Sequence, residues 1–330
     1  MSKVLVTGAT GFLGKYMVAE LVDNGYEVIA QGRNEDRLNQ LIKDYKIPTL
    51  KCSLSEIGNI DLEIDYVIHG AALSTVWGKW QDFYSSNVEG TESIISFCRK
   101  NKVKRLVYVS TPSVYTDKKH RFNISENDYD KKNKLNFYIK SKLMAEELVN
   151  KAYENGLSTV IIRPRGLFGI GDTSLIPRLI NANETIGIPL FNNGTNLVDI
   201  TCVENVALSL RLAMEAENAA GRTYNITNGE PMEFKMILEK LFKKIGKKPR
   251  YKRLPLGFVY CVATVLESFY KLFGIYKEPA LTRYTVLTLG YSQTLNIEQA
   301  KSDFGYSPKI TIEEGIQKYA DHFKKQDNRC

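Results

Sequence analysis

Histidine, tryptophan and cysteine are scarce in this 330-residue chain, with three, two and five of each. His69, His120 and His322 stand far apart, and Cys52, Cys98, Cys202, Cys261 and Cys330 form no CxxC and no Cys/His spacing that would hold a metal. No structural metal and no disulfide framework are expected, and scattered thiols suit a reducing, cytoplasmic compartment. Long apolar runs are missing too. The longest, Leu256 to Leu266, is 11 residues and ends at Glu267, short of the roughly 18 that read as a membrane span. Met1-Ser2-Lys3 leads straight into Val4-Leu5-Val6, so no secretory signal is expected. Without low-complexity tracts or internal repeats, disordered and collagen-like architectures are excluded.

What remains is a globular composition, long enough for one large α/β domain or a large domain with a smaller companion. The net charge is +8, which favours anionic ligands without naming one. Part of the excess is local, in Lys243, Lys244, Lys247, Lys248, Arg250, Lys252 and Arg253. That run reads most simply as a solvated helix end and loop.

The first half alternates two patterns. Short continuous apolar runs at Val4–Val6, Glu27–Ala30, Tyr66–His69, Leu106–Ser110 and Thr159–Arg163 read as strands buried on both faces. Helical periodicity fills the gaps at Leu13–Asn24, Arg37–Tyr45, Val88–Lys100 and Tyr138–Asn155. This βαβα order predicts a doubly wound parallel sheet of the Rossmann type. Beyond Arg163-Pro164 glycines multiply around a short helix at Leu175–Asn181. Val198–Cys202 then reads as a returning strand, Glu204–Glu217 as a helix and Thr223–Ile226 as another strand. From Pro231 the pattern is mostly helical: Glu233–Ile245, Leu256–Phe273 and Ile312–Lys325. The expected division is a dinucleotide-binding domain, 1–165 with 196–227, interleaved with a smaller, mostly helical substrate domain, 166–195 with 228–330.

Thr7-Gly8-Ala9-Thr10-Gly11-Phe12-Leu13-Gly14 lies between the first strand and the first helix. Gly8 fits a tight turn off the strand, Gly11 a close approach to a pyrophosphate, and Gly14 a helix packed hard on the sheet. The helix N-terminus then aims free N–H groups at the anion, with Thr10, Phe12 and Leu13 beside it. The second strand ends Gln31-Gly32-Arg33-Asn34, with no acid to receive a ribose 2′-hydroxyl. Arg33, with Arg37, is suited instead to a 2′-phosphate. NADP(H) is therefore the expected cofactor, with NAD(H) still usable.

Tyr138 and Lys142 stand at i and i+4, on one face of a helix. A phenol titrates near pH ~10, and a neighbouring ammonium would lower that value toward the range of a working acid–base group. Ser110, Thr111 and Ser113 cluster at the end of the strand Leu106–Ser110, where a hydroxyl would face the ligand crevice.

Together these motifs resemble an extended short-chain dehydrogenase/reductase of the NAD-dependent epimerase/dehydratase superfamily. His69-Gly70-Ala71-Ala72, Asn87-Val88-Glu89-Gly90-Thr91 and Arg163-Pro164-Arg165-Gly166-Leu167-Phe168-Gly169 extend the likeness over nearly the whole chain. It implies a Thr111, Tyr138, Lys142 triad, Thr111 standing four residues before Tyr115. It also implies cofactor contacts from Ala71, Ala72, Asn87, Pro164 and Leu167, from Tyr138 and Lys142, and from Ser53 and Leu54 at the adenine. Ser53 stands where the family has an Asp, which weakens that contact. A homodimer through the helices at Val88–Lys100 and Tyr138–Asn155 is a further implication.

The later half most resembles the 3β-hydroxysteroid dehydrogenase-like branch, with its 2-alkyl-3-oxoalkanoate reductases. Arg165-Gly166-Leu167-Phe168-Gly169-Ile170-Gly171-Asp172, Asn196-Leu197-Val198-Asp199-Ile200-Thr201 and Leu281-Thr282-Arg283-Tyr284-Thr285 carry that likeness. It implies an alcohol–ketone interconversion on a hydrophobic 3-oxo or 3-hydroxy substrate. The stripe Phe258, Val262, Val265, Leu266, Phe269, Leu272 and Phe273 reads most plainly as a core face. An apolar lid, or a weak peripheral membrane contact, is the other reading. The alternative function is a nucleotide-sugar epimerase, reductase or dehydratase, with Arg163, Arg165, Arg222 or Arg283 as a diphosphate clamp. A non-catalytic NADP sensor or RNA-binding scaffold is disfavoured by the intact triad, and no nucleic-acid partner is expected.

Overall fold

A computed structural model describes residues 1–327. Seven short strands rich in β-branched residues form one sheet: β1 Lys3–Thr7, β2 Glu27–Gly32, β3 Thr49–Lys51, β4 Tyr66–His69, β5 Arg105–Val109, β6 Thr159–Pro164 and β7 Thr223–Ile226. Their order is β7-β6-β5-β4-β1-β2-β3, and every neighbouring pair is parallel. The chain winds outward from β1 to β3, then returns to place β4 on the other side of β1. That reversal opens a crevice at the carboxyl ends of β1 and β4. All of β6 is buried, which is why it reads as a continuous run and not as an alternating one.

Helices cover both faces. Helices α1 (Phe12–Asp23) and α2 (Glu35–Tyr45) pack on one side through Met17, Val18, Leu21, Leu38 and Leu41. Helices α3 (Gly90–Lys100) and α4 (Phe137–Glu154) pack on the other through Ile94, Phe97, Ala145 and Val149. Before α3 the chain is already helical from Trp80, and Tyr84–Glu89 is a wide, π-helical stretch, a distortion often found beside functional sites.

A second core joins α5 (Leu175–Glu184), α7 (Phe234–Ile245) and α10 (Ile312–Asp327) around Phe168, Ile180, Leu238, Phe242 and Ile316. Between α5 and α7, α6 (Val203–Glu215) returns to the face of the main sheet covered by α1. A small mixed sheet brings Met232–Glu233, Leu197–Val198, Gln293–Leu295 and Arg121–Ile124 together. Helices α8 (Leu256–Leu272) and α9 (Arg283–Gly290) meet around Phe191, Val259, Ala263 and Val286.

Two expectations need correction. The strand expected over Val198–Cys202 is divided, Leu197–Val198 pairing in the small sheet and Thr201–Cys202 with Leu167–Phe168. Asp199 makes the break, turning its carboxylate to accept the Leu295 amide at 2.7 Å. The apolar stripe of α8 does not face a core. Val259, Ala263 and Glu267 make the buried strip, leaving Phe258, Val262, Val265, Phe269, Leu272 and Phe273 exposed.

Candidate active site

β1 delivers the chain to Gly8, which turns at φ +68°. A Cβ at Gly8 would stand 2.8 Å from the Ala71 backbone, and one at Gly14 would collide with the Gly8 carbonyl and Ala9. Glycine at both positions is therefore a packing requirement. α1 begins at Phe12 behind Gly11, which offers no side-chain cap. The first amides of the helix have no acceptor of their own and form a cradle for a phosphate group. The Gln31 side chain fixes this loop to the third strand, accepting from the Gly8 amide at 3.2 Å and donating to the Cys52 carbonyl at 2.7 Å. Its signal in the sequence is faint, since glutamine at a strand end suggests no such brace.

From this cradle a cavity of about 1050 Å³ runs along the carboxyl edge of the sheet, with Gly8, Thr10, Gly11, Phe12, Leu13 and Gly14 at one wall. Arg33, Arg37, Ser53 and Leu54 line one end. Arg37 donates from Nη1 to the Thr10 carbonyl at 3.1 Å, holding its guanidinium beside the loop. Ser53 caps the short helix at Leu54–Ile57, its hydroxyl 2.7 Å from a Glu56 carboxylate oxygen. Ala71, Ala72, Pro164 and Leu167 also line the cavity. Asn87 does not stand among the lining residues. It is buried behind them, accepting from the Leu73 amide at 2.7 Å and donating to Ser141 Oγ at 2.9 Å, and so joins the loop after β4 to α4.

Thr111, Tyr138 and Lys142 all line the same cavity. Asn136 starts α4 by accepting from the Ile139 amide, and the helical turn then presents Tyr138 and Lys142 to one side. Burial raises the Tyr138 phenol to about 12; the Thr111 hydroxyl pulls the value down and Tyr284 adds to the rise. Burial lowers Lys142 to about 7, with Glu146 acting in the opposite direction. Lys142 Nζ donates to the Val109 carbonyl at 2.7 Å and lies 4.2 Å from the Tyr108 ring centroid. The sequence suggests an ammonium that lowers Tyr138; here burial dominates, and the phenol is held in its protonated form.

Of the hydroxyls at the end of β5, Ser110 is bound to the Glu146 carboxylate. Thr111 Oγ1 donates to Ser113 Oγ at 3.0 Å, and Ser113 Oγ lies 2.7 Å from the Tyr284 hydroxyl. Tyr284, on α9, also lines the cavity. Residue spacing gives no hint of it, because about 150 residues separate it from Tyr138 in the chain. Behind the site Glu146 receives Arg163 from two nitrogens, Nε at 2.8 Å and Nη2 at 2.6 Å.

A parallel sheet opened at its switch point, a side-chain-free phosphate cradle and a Tyr–Lys pair over the same crevice define a dinucleotide-dependent oxidoreductase of the extended short-chain dehydrogenase/reductase class. The sequence pattern of the 3-beta hydroxysteroid dehydrogenase/isomerase family matches residues 5–256. A 2-alkyl-3-oxoalkanoate reductase of Stenotrophomonas maltophilia strain K279a is 32% identical over 96% of this chain and 98% of its own. The mouse (Mus musculus) sterol-4-alpha-carboxylate 3-dehydrogenase, decarboxylating, is 30% identical over 97% of this chain and 91% of its own. Among solved structures, the UDP-glucuronic acid 4-epimerase of Bacillus cereus with NAD superposes with a TM-score of 0.78, 22% identity and coverage of 98% and 96%, a likeness of fold. The chain belongs to the 3-beta hydroxysteroid dehydrogenase/isomerase family and is an NAD(P)-dependent oxidoreductase.

Proposed function

We propose that this protein is an NADP(H)-dependent oxidoreductase that interconverts a ketone and a secondary alcohol on a hydrophobic 3-oxo or 3-hydroxy substrate. The observation that carries this reading is the lining of the cavity that holds Thr111, Tyr138 and Tyr284. It includes the apolar side chains of Leu73, Val76, Leu175, Leu179 and Leu289, the kind of surface that receives a hydrophobic ligand around a few orienting polar groups. The names of the relatives, a 2-alkyl-3-oxoalkanoate reductase and a sterol dehydrogenase, agree with it.

The residues present fit a dinucleotide: Gly8 and Gly14 leave no room for a Cβ against the backbone, the start of α1 at Phe12 and Leu13 lines the cavity, and Arg33 and Arg37 line it too. When bound, the nicotinamide supplies or accepts the hydride. Tyr138, protonated at neutral pH because burial raises its phenol, gives its proton to the carbonyl oxygen during reduction and accepts it back during oxidation. Thr111 orients on that same oxygen and is itself oriented by Ser113 and Tyr284. Lys142 is held by the Val109 carbonyl and would hold the nicotinamide ribose.

Of the arginines suited to clamp a nucleotide-sugar diphosphate, most are committed elsewhere. Arg163 is bound to Glu146 and is 1% exposed, Arg222 pairs with Asp303, and Arg283 pairs with Glu267. Arg165 reaches the cavity but donates to Gln293. This supports the hydrophobic substrate over the sugar nucleotide. A homodimer across α3 and α4 is the expected assembly, to be checked by light scattering.

The test of the cofactor assignment is a paired titration of NADPH and NADH. NADPH should bind at least roughly tenfold more tightly, in keeping with charge-assisted contacts to a phosphate, and Arg33→Glu should abolish the difference. Equal affinities for the two cofactors, or a preference that survives Arg33→Glu, would contradict it.

A further inference from the structure

Helix α8 buries Val259, Ala263 and Glu267 against the rest of the molecule, with Leu256 and Tyr260 packed partly buried beside them. Its opposite side is apolar and open to solvent: Phe258 is 67% exposed, Val265 70% and Leu272 81%. Val262, Phe269 and Phe273 are exposed alongside them. A contiguous apolar face of this kind marks an interaction surface, since scattered exposed residues would not share one side of one helix.

The charges around it indicate what binds there. Between Leu254 and Lys277 the single carboxylate is Glu267, which is buried and held by Arg283 at 2.8 Å. Cations frame the face instead. Lys252, Arg253, Lys271 and Lys277 are exposed. Just past α8, Lys79 Nζ lies 4.8 Å from the Tyr276 ring centroid. Among the described residues, none of these five cations forms an ion pair. A second copy seated face to face would bring like charges together. A bilayer with anionic headgroups satisfies both parts of the surface, phosphates meeting the lysines and acyl chains the phenylalanines and leucines. No helix among the described residues is long and apolar enough to cross a membrane, and α8, about 26 Å long at 1.5 Å per residue, suits a position in the plane of the interface.

We propose that α8 is an interfacial anchor that docks this protein on an anionic phospholipid bilayer. The cavity wall is tied to the anchor. Val76 and Arg178 line the cavity; the neighbouring Trp77 donates from Nε1 to the Ile275 carbonyl at 3.0 Å, and Arg178 pairs with Glu278 at 3.0 Å. Both lining segments are thus tied to the chain just past α8, so that docking brings this side of the cavity toward the lipid. An apolar substrate then enters without crossing bulk water, a consequence that rests on the function proposed above; the docking itself does not.

The experiment is flotation of the full chain with vesicles of phosphatidylcholine containing about 30 mol % phosphatidylglycerol, against phosphatidylcholine alone. The expected result is recovery with the anionic vesicles at least roughly tenfold above that with the neutral ones, reduced by added salt. Val265→Glu/Phe269→Glu/Leu272→Glu should lower that recovery about tenfold, with melting temperature and NADPH affinity unchanged. Lys252→Glu/Arg253→Glu/Lys271→Glu, which leaves the apolar face intact, should lower it similarly. Absence of recruitment, equal recruitment to neutral vesicles, or a variant set that floats like the parent would overturn the proposal. So would light scattering that finds a dimer broken by the α8 substitutions in a protein that ignores vesicles. Recruitment without turnover of any 3-oxo lipid would overturn the catalytic reading and leave the anchor standing.

Discussion

Tyr284 enters the site from the second half of the chain, and its hydroxyl ends a line that runs through Ser113 to Thr111. Thr111 is the group expected to meet the substrate oxygen, so Tyr284 acts by fixing that hydroxyl's direction. Removing one such hydrogen bond is worth about 0.5–1.5 kcal/mol, so Tyr284→Phe should lower kcat by about 2- to 10-fold with KM little changed. A rise in KM at constant kcat would mean that Tyr284 contacts the substrate instead. His69 offers a test by pH. Its Nδ1 lies 2.7 Å from Thr7 Oγ1, and burial, assisted by the Lys142 charge, lowers it to about 3, whereas an unfolded imidazole titrates near ~6.5. Between those values the unfolded chain binds a proton that the native chain refuses. Stability therefore falls as pH is lowered through this window, and above it the histidine contributes no slope. His69→Gln should flatten the dependence of unfolding free energy on pH by about 1.4 kcal/mol per unit between those limits. Parallel curves for the parent and the variant would contradict this.

At the scale of elements, α4 is positioned by a buried ion pair. Glu146 lies one turn beyond Lys142 and holds Arg163 of β6, whose Nη1 also donates to the Tyr115 hydroxyl at 2.7 Å and to the Glu126 carbonyl at 2.8 Å. The same carboxylate accepts from Ser110 at the end of β5. One acid therefore connects the helix bearing Tyr138 and Lys142 to the two strands that end beneath it. Glu146→Gln leaves the guanidinium buried without its counter-charge, a change that costs about 3–5 kcal/mol. Urea unfolding should record a loss of that size, and a loss under about 1 kcal/mol would show that the pair is dispensable. The π-helical stretch before α3 has a comparable part, placing Asn87 between the Leu73 loop and Ser141. The sequence names Asn87 through a family motif, yet motif membership does not distinguish a residue that touches a ligand from one that braces the wall.

For the whole molecule, what was legible in the sequence is what local chemistry dictates. Six of the seven strands of the sheet follow from buried β-branched runs separated by amphipathic helices, and the cradle from glycines at positions with no room for a Cβ; Thr49–Lys51, a half-exposed edge strand, carries no such run. Tyr138 and Lys142 share a helix face through their spacing alone. What depends on distant contacts was not legible. Arg121–Ile124 becomes a strand only because Gln293–Leu295 lies beside it, and Tyr284 reaches Ser113 only once α9 is folded against the crevice. The exposure of the α8 stripe was also hidden, since periodicity shows that one side is apolar but not which partner it faces.

Protonation of a hydrophobic 3-oxo substrate by Tyr138 in this cavity is tested most directly by NADPH oxidation by the purified protein on a series of 3-oxo acids of increasing alkyl length, with UDP-glucose and UDP-glucuronic acid in parallel. The expected result is that kcat/KM rises with chain length, and that Tyr138→Phe lowers turnover about 10²- to 10⁴-fold while leaving NADPH affinity within a few-fold. Turnover of the sugar nucleotides with none of the 3-oxo acids, or full activity in Tyr138→Phe, would contradict it.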